Sequence, residues 1–132
     1  MPEAASFAST ELVLGRYRPL RPLGSGGSGS VWLAHDTQLD VEVALKIVPR
    51  EGKAGSRAER EAGAAAKLRH PHCQRALGFA SDEENVYIAY EYIAGQTLRS
   101  ALRGGDLDDA AAVEAARQIA DALAHAHGEG VD

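Results

Sequence analysis

Two kinds of residue in this chain are typed and spaced for work on a phosphate. Gly24-x-Gly26-x-x-Gly29-x-Val31 sets glycines where backbone N–H groups can approach an anion with no side chain in the way. Lys46, in Val43-Ala44-Leu45-Lys46, supplies a cation that can reach phosphate oxygens, and small Ala44 leaves room for a flat base. A lysine drawn away from water needs a carboxylate partner, and the stretch that follows offers Glu59 and Glu61. Glycine patterns of this kind serve several chemistries. A dinucleotide fold places a helix directly after the glycines, but here Ser30-Val31-Trp32-Leu33-Ala34 follows, β-branched and aromatic, and reads as a strand. A P-loop needs Gly-Lys-Ser/Thr, and no lysine adjoins these glycines. A hairpin whose glycine tip covers a ligand remains. On residue types alone, a ligand-free hairpin and a solvated lysine stay open as the plainer alternatives.

Short strands must position these groups. Residues 17–23, 31–34 and 41–48 are β-type runs joined by the glycine loop and the polar turn 36–40, and such tight connections predict an antiparallel meander. Alternation along the third run puts Val41, Val43, Leu45 and Ile47 on one face and Glu42, Ala44, Lys46 and Val48 on the other. After a break at 49–55, Ser56 begins a predicted helix, with Ser56 and Glu59 at capping-box spacing and Pro71 stopping it after Arg69. With Glu59 used as a cap, Glu61 is left for Lys46; it shares the inward face of Ala65 and Leu68. Two more strand-like runs, 75–80 and 86–93, flank an acidic turn. A short helix over 97–103 follows, then a longer one capped by Asp106 or Asp108 and running to about His127. Val113, Ala116, Ile119, Ala120 and Leu123 line one side of that last helix. The expected order is β-β-β-α-β-β-α-α, an α+β chain.

The 132 residues, 45% apolar and 25% charged, fit one domain of modest size. No apolar run is long enough to span a bilayer and no signal-like segment opens the chain, so neither a membrane partner nor secretion is expected. The lone Cys73 excludes an intrachain disulfide and agrees with a cytoplasmic location; it is expected to be a small buried apolar residue. The net charge of −5 is uneven: residues 1–50 are neutral, 51–80 carry +3 and 81–132 carry −8. Nothing there resembles the basic footprint of a nucleic-acid binder. Residues 1–13 are expected to form a mobile tail. His70-Pro71-His72-Cys73 matches no common metal-ligand spacing, and His125 and His127 face apart on their helix, so no metal site is assigned.

Taken in order, Gly15-Arg16-Tyr17, the glycine loop, 43–46, Arg60-Glu61-Ala62, His70-Pro71-His72 and 87–92 resemble the N-terminal lobe of a bacterial Ser/Thr protein kinase of the kind common in actinobacteria. The resemblance covers about residues 14–130. It implies a five-stranded antiparallel sheet with one helix over residues 14–94, then helices over 95–132 that normally belong to a second lobe. It implies that ATP or ADP is bound, with Gly24, Ser25, Gly26, Gly27, Ser28 and Gly29 covering the phosphates. By the same resemblance Val31 and Ala44 roof the adenine, Lys46 contacts the α- and β-phosphates, and Glu61 anchors Lys46. Tyr90 would be the gatekeeper, narrowing the back of the pocket, with Glu91, Tyr92 and Ile93 beside the base; Glu91 and Ile93 would supply backbone hydrogen bonds. The connection from Lys46 to Glu61 is short for the family, which puts strain on that pair.

No catalytic residue is assigned. The family's H-R-D-x-x-x-x-N loop and D-F-G aspartate have no counterpart before Asp132, which lacks a preceding His-Arg. The expectation is therefore a kinase-like nucleotide-binding chain unable to transfer phosphate on its own, with Mg²⁺ held only through the nucleotide. A fragment of an active Ser/Thr kinase and a non-catalytic dimerisation or docking module are the alternatives. Leu98, Leu102, Val113, Ile119 and Leu123 lack the lobe they normally pack in, so a homodimer with exchanged C-terminal helices is expected.

Overall fold

The computed structural model describes residues 11–26 and 29–131. The elements are β1 (Tyr17–Gly26), β2 (Gly29–Asp36), β3 (Val41–Pro49), α1 (Gly52–Ala65), β4 (Ala76–Ser81), β5 (Asn85–Glu91), α2 (Leu98–Arg103) and α3 (Asp109–Gly128). One antiparallel sheet holds all five strands in the order β1-β2-β3-β5-β4. The chain divides into two units, one running to Ala66 and including Arg75–Tyr92, the other taking Lys67–Gln74 and Ile93 onward.

In the first unit, the alternation of β3 separates two packed faces. Val43, Leu45 and Ile47 join Ala34, Tyr87, Ala89, Val13 and Tyr17 in the larger cluster, with Trp32 and Leu77 against it. Val13, read as the end of a mobile tail, is thus part of the core, and its N–H donates to the Tyr17 carbonyl at 2.8 Å. Across the sheet, the directly paired Val48 and Val86 pack on Ala58 and Ala54 of α1. Alanines along this helix face let the backbone lie close to the sheet.

The start of α1 departs from its capping-box prediction. The helix begins at Gly52, its N-cap is Glu51 with no side-chain bond, and Ser56 and Glu59 lie inside the helix, exposed. A cap contributes about 1 kcal/mol; burying Ala54 and Ala58 against two valines requires the helix to begin as soon as β3 ends. Gly55 permits it, because a Cβ there would fall 1.9 Å from the Arg50 carbonyl oxygen. The helix also closes earlier than predicted, at Ala65.

Asp36, read as part of a polar turn, is 1% exposed. Its carboxylate accepts from Arg16 Nε and Nη2 at 2.8 and 2.7 Å and from the N–H groups of Gln38 and Leu39. The Arg16 hydrogen bonds hold its pKa below the ordinary carboxylate value against the opposing effect of burial.

In the second unit, Thr97 caps α2 by accepting from Ser100 N–H, and Asp108 caps α3 by accepting from Ala111 N–H. Asp106 instead accepts from Gln96 Nε2 at 3.1 Å. The Arg69 N–H donates to His125 Nε2 at 3.2 Å, and the His70 ring stands 5.2 Å from that of His125. Val113, Ile119 and Leu123 on α3 are exposed.

Candidate functional site

Register places the chemistry. Val31 pairs with Lys46 and Leu33 with Ala44 across β2 and β3; Ala44 pairs with Tyr90 and Lys46 with Ile88 across β3 and β5. Directly opposed residues share a face, as do residues two apart on one strand. Val31, Ala44, Lys46 and Tyr90 therefore project from the side of the sheet on which α1 packs. Glu61 comes down from the helix to the same place.

Lys46 Nζ donates to Glu61 Oε1 at 2.7 Å, so the short connection does not keep the pair apart. The early start of α1 resolves the expected strain: beginning at Gly52, the helix makes enough turns to deliver Glu61 over β3. The other carboxylate oxygen, Oε2, accepts from the Tyr90 hydroxyl. Burial is the largest influence on Glu61 and raises its pKa, but the hydrogen bonds from Lys46 and Tyr90 and the charge of Lys46 together bring it below the ordinary value. Tyr90 is pushed upward, first by burial and then by the carboxylate it faces. The lysine and the glutamate are 21% and 38% exposed, a pair sheltered enough to be ordered yet still reachable. An ammonium carries three N–H donors, and the bond to Glu61 leaves two for an incoming anion.

The glycine hairpin rises next to these groups. β1 continues to Gly26 and β2 opens at Gly29, which pair with each other, so the loop is tighter than its seven-residue reading. Gly29 has φ +121°, and a Cβ there would lie 2.3 Å from the Ile47 carbonyl oxygen; only glycine fits where the tip of the hairpin passes the end of β3. Gly24, Ser25 and Gly26 are exposed on the outgoing strand. Gly27 and Ser28, assigned to the phosphates by resemblance, lie outside the described residues.

Glu91 closes β5, its N–H donating to the Arg75 carbonyl at 2.9 Å. The Tyr92 hydroxyl accepts from Arg21 Nη2 at 3.3 Å, tying β1 to the end of the first unit. Ile93 falls in the second unit and is exposed. Cys73 is half-buried, less enclosed than its residue type led one to expect. Among the described residues, no three His, Cys, Asp or Glu side chains gather as a metal site, and no helix is long and apolar enough to cross a membrane.

Residue types exposed Lys46 and Glu61, but not the tyrosine hydroxyl that shares the carboxylate. The signal was present in the pairing of Ala44 with Tyr90, which sequence alternation alone does not reveal.

The model of the protein kinase domain matches residues 17–132. The chain is 37% identical over 120 residues to the serine/threonine-protein kinase PrkC of Bacillus subtilis, covering 87% of this chain and 18% of that protein. It is 34% identical over 130 residues to the serine/threonine-protein kinase pkn2 of Myxococcus xanthus, covering 95% of this chain and 16% of that one. It is also 37% identical over 122 residues to the serine/threonine-protein kinase PknD of Mycobacterium tuberculosis, covering 89% and 18% respectively. The chain thus spans less than a fifth of the length of these relatives. A five-stranded antiparallel sheet followed by helices is the arrangement of a kinase N-terminal lobe, and with the match over most of its length the chain belongs to the protein kinase domain family.

Proposed function

We propose that this chain is the nucleotide-gripping part of a Ser/Thr protein kinase and binds ATP or ADP. The observation that carries it is the Lys46–Glu61 pair at 2.7 Å, on the sheet face shared with Val31 and Ala44 and beside the glycine hairpin. The glycines Gly24, Gly26 and Gly29 offer backbone N–H groups to the phosphates, and Lys46 reaches the α- and β-phosphate oxygens with its remaining donors. Ala44 and Val31 meet the base from above, while Glu91 and Tyr92 border it. Residues 14–94 make up the gripping lobe and 95–132 the helices that follow it. Mg²⁺ enters on the nucleotide, coordinated by its phosphates.

Transfer of the γ-phosphoryl group needs a base for the substrate hydroxyl and side-chain ligands for Mg²⁺. We assign neither role to a residue of this chain, and the contribution assigned to it is binding and positioning. Calorimetric titration with MgATP tests it, with Lys46→Ala as the control. Saturable binding that the substitution weakens at least tenfold is expected; equal binding by both proteins would remove Lys46 from the site, and none by either would end the proposal.

A second reading, self-association through α3, is favoured by the exposure of Val113 (70%), Ile119 and Leu123 along one side of that helix. Sedimentation velocity at tens of micromolar should then show a dimer; a strictly monomeric chain removes it.

A further inference from the structure

We propose that the Tyr90 hydroxyl is a positioning group that holds the Glu61 carboxylate, and through it Lys46, in the geometry that meets a nucleotide's phosphates. The two oxygens of Glu61 have partners on different strands: Oε1 accepts from Lys46 on β3, and Oε2 accepts from Tyr90 on β5. The pairing of Tyr90 with Ala44 and of Lys46 with Ile88 sets phenol and ammonium diagonally across neighbouring strands, beneath the helix that carries the acid.

A carboxylate held at one oxygen can rotate about its last side-chain bond. Held at both, from two strands, it rotates only by giving up a charge-assisted hydrogen bond. Glu61 is ionised and can only accept, and Tyr90 is neutral and donates, so the bond has a single direction. It fixes the plane of the carboxylate beside Lys46, and hence where the other two ammonium donors point. It also ties α1 to β5 as well as β3, so the helix cannot swing off the sheet without losing both contacts. Ring bulk and hydroxyl are separable, because phenylalanine keeps the first and lacks the second.

This rests on the nucleotide-binding reading above, yet part of its test needs no nucleotide. Carbon-detected NMR of the glutamate carboxyls of the 132-residue chain, with Glu61 assigned through Glu61→Gln, should show the Glu61 titration midpoint rise in Tyr90→Phe by roughly half a pH unit or more. An unchanged midpoint overturns the proposal, whatever nucleotide does. A chain carrying 3-fluorotyrosine at position 90, which retains the ring and strengthens the donor, should move the midpoint the other way; it serves equally if Tyr90→Phe fails to fold, and no movement there counts against the proposal. In calorimetry, Tyr90→Phe should weaken MgATP binding roughly three- to tenfold and leave adenosine, which has no phosphate, unchanged. Equal weakening of both ligands would assign the effect to the shape of the pocket and overturn the role through Lys46. Wild-type chain that binds no MgATP sinks the nucleotide reading separately, and the carboxyl titration still decides whether Tyr90 holds Glu61.

Discussion

The two faces of one sheet do different work with the same strands. On the face of Val43, Leu45 and Ile47, apolar side chains from β2, β3 and β5 pack with Val13 and Tyr17, with Trp32 against them, and the buried cluster contains no charge. On the face of Ala44, Lys46 and Val48, the helix is held by alanines against two valines, and the space beside them is filled by an ammonium, a carboxylate and a phenol. The first face buries area, which is where folding free energy comes from. The second keeps three polar groups half-sheltered and mutually satisfied, which contributes little net stability and sets a geometry. Substitution on the first face should therefore be read out in melting, and substitution of the polar groups on the second in binding.

The sharpest way to break that division is Leu45→Ala. Leu45 is 1% exposed, and its truncation should cost about 3–4 kcal/mol, lowering the melting temperature by roughly 10 °C or more. MgATP affinity measured well below the melting point should stay within about twofold; a large binding defect in the folded protein would mean the two faces are not independent. Next in size is Asp36→Asn, which breaks the buried pair with Arg16 and should cost about 2 kcal/mol in denaturant unfolding. The pH dependence has a definite sign. Arg16 lowers the native pKa of Asp36, so the pair stabilises fully above the ordinary carboxylate value of about 4 and loses that contribution as pH falls through the lowered native value. Asp36→Asn should flatten this acid limb, and a variant that loses stability as steeply as wild type there would place the titration elsewhere.

On the second face, Lys46→Ala should change unfolding free energy by less than about 1 kcal/mol while weakening MgATP by ten- to a hundredfold. A melting loss comparable to that of Leu45→Ala would erase the distinction between the faces. The smallest effect is expected for Arg117, whose guanidinium bridges Glu114 and Asp121 on the exposed side of α3. Arg117→Ala should leave the melting curve indistinguishable from wild type in moderate salt, because water and ions already screen both bridges. A clear shift would show that this network, unlike an ordinary surface pair, is coupled to packing.

Much of the candidate site is legible in the sequence alone. β-branched runs between turn residues marked the strands, alternation put Lys46 with Ala44 and Val48, and helical spacing singled out Glu61. Each of these is a local period that the backbone imposes. The start of α1 departs from the sequence signal because Ser56 and Glu59 satisfy a local rule worth about 1 kcal/mol, whereas burying Ala54 and Ala58 depends on residues in two strands. Asp36 looked like a turn residue for a similar reason: its partner, Arg16, lies across the β1–β2 hairpin. The contact of His125 with the Arg69 N–H joins segments far apart in sequence, and nothing in either segment announces it.

By itself the sequence determined which elements form, their order, and which residues could meet a phosphate, because residue type and spacing act through neighbours a few positions away. Only the tertiary structure decided that Lys46 and Glu61 meet, that Tyr90 completes the carboxylate's bonding, and that Asp36 is buried. Those outcomes depend on strand register and on where a helix begins. Register is set by the summed packing of both sheet faces, and a hydrogen bond needs its partners within a few tenths of an ångström, a precision no local pattern carries.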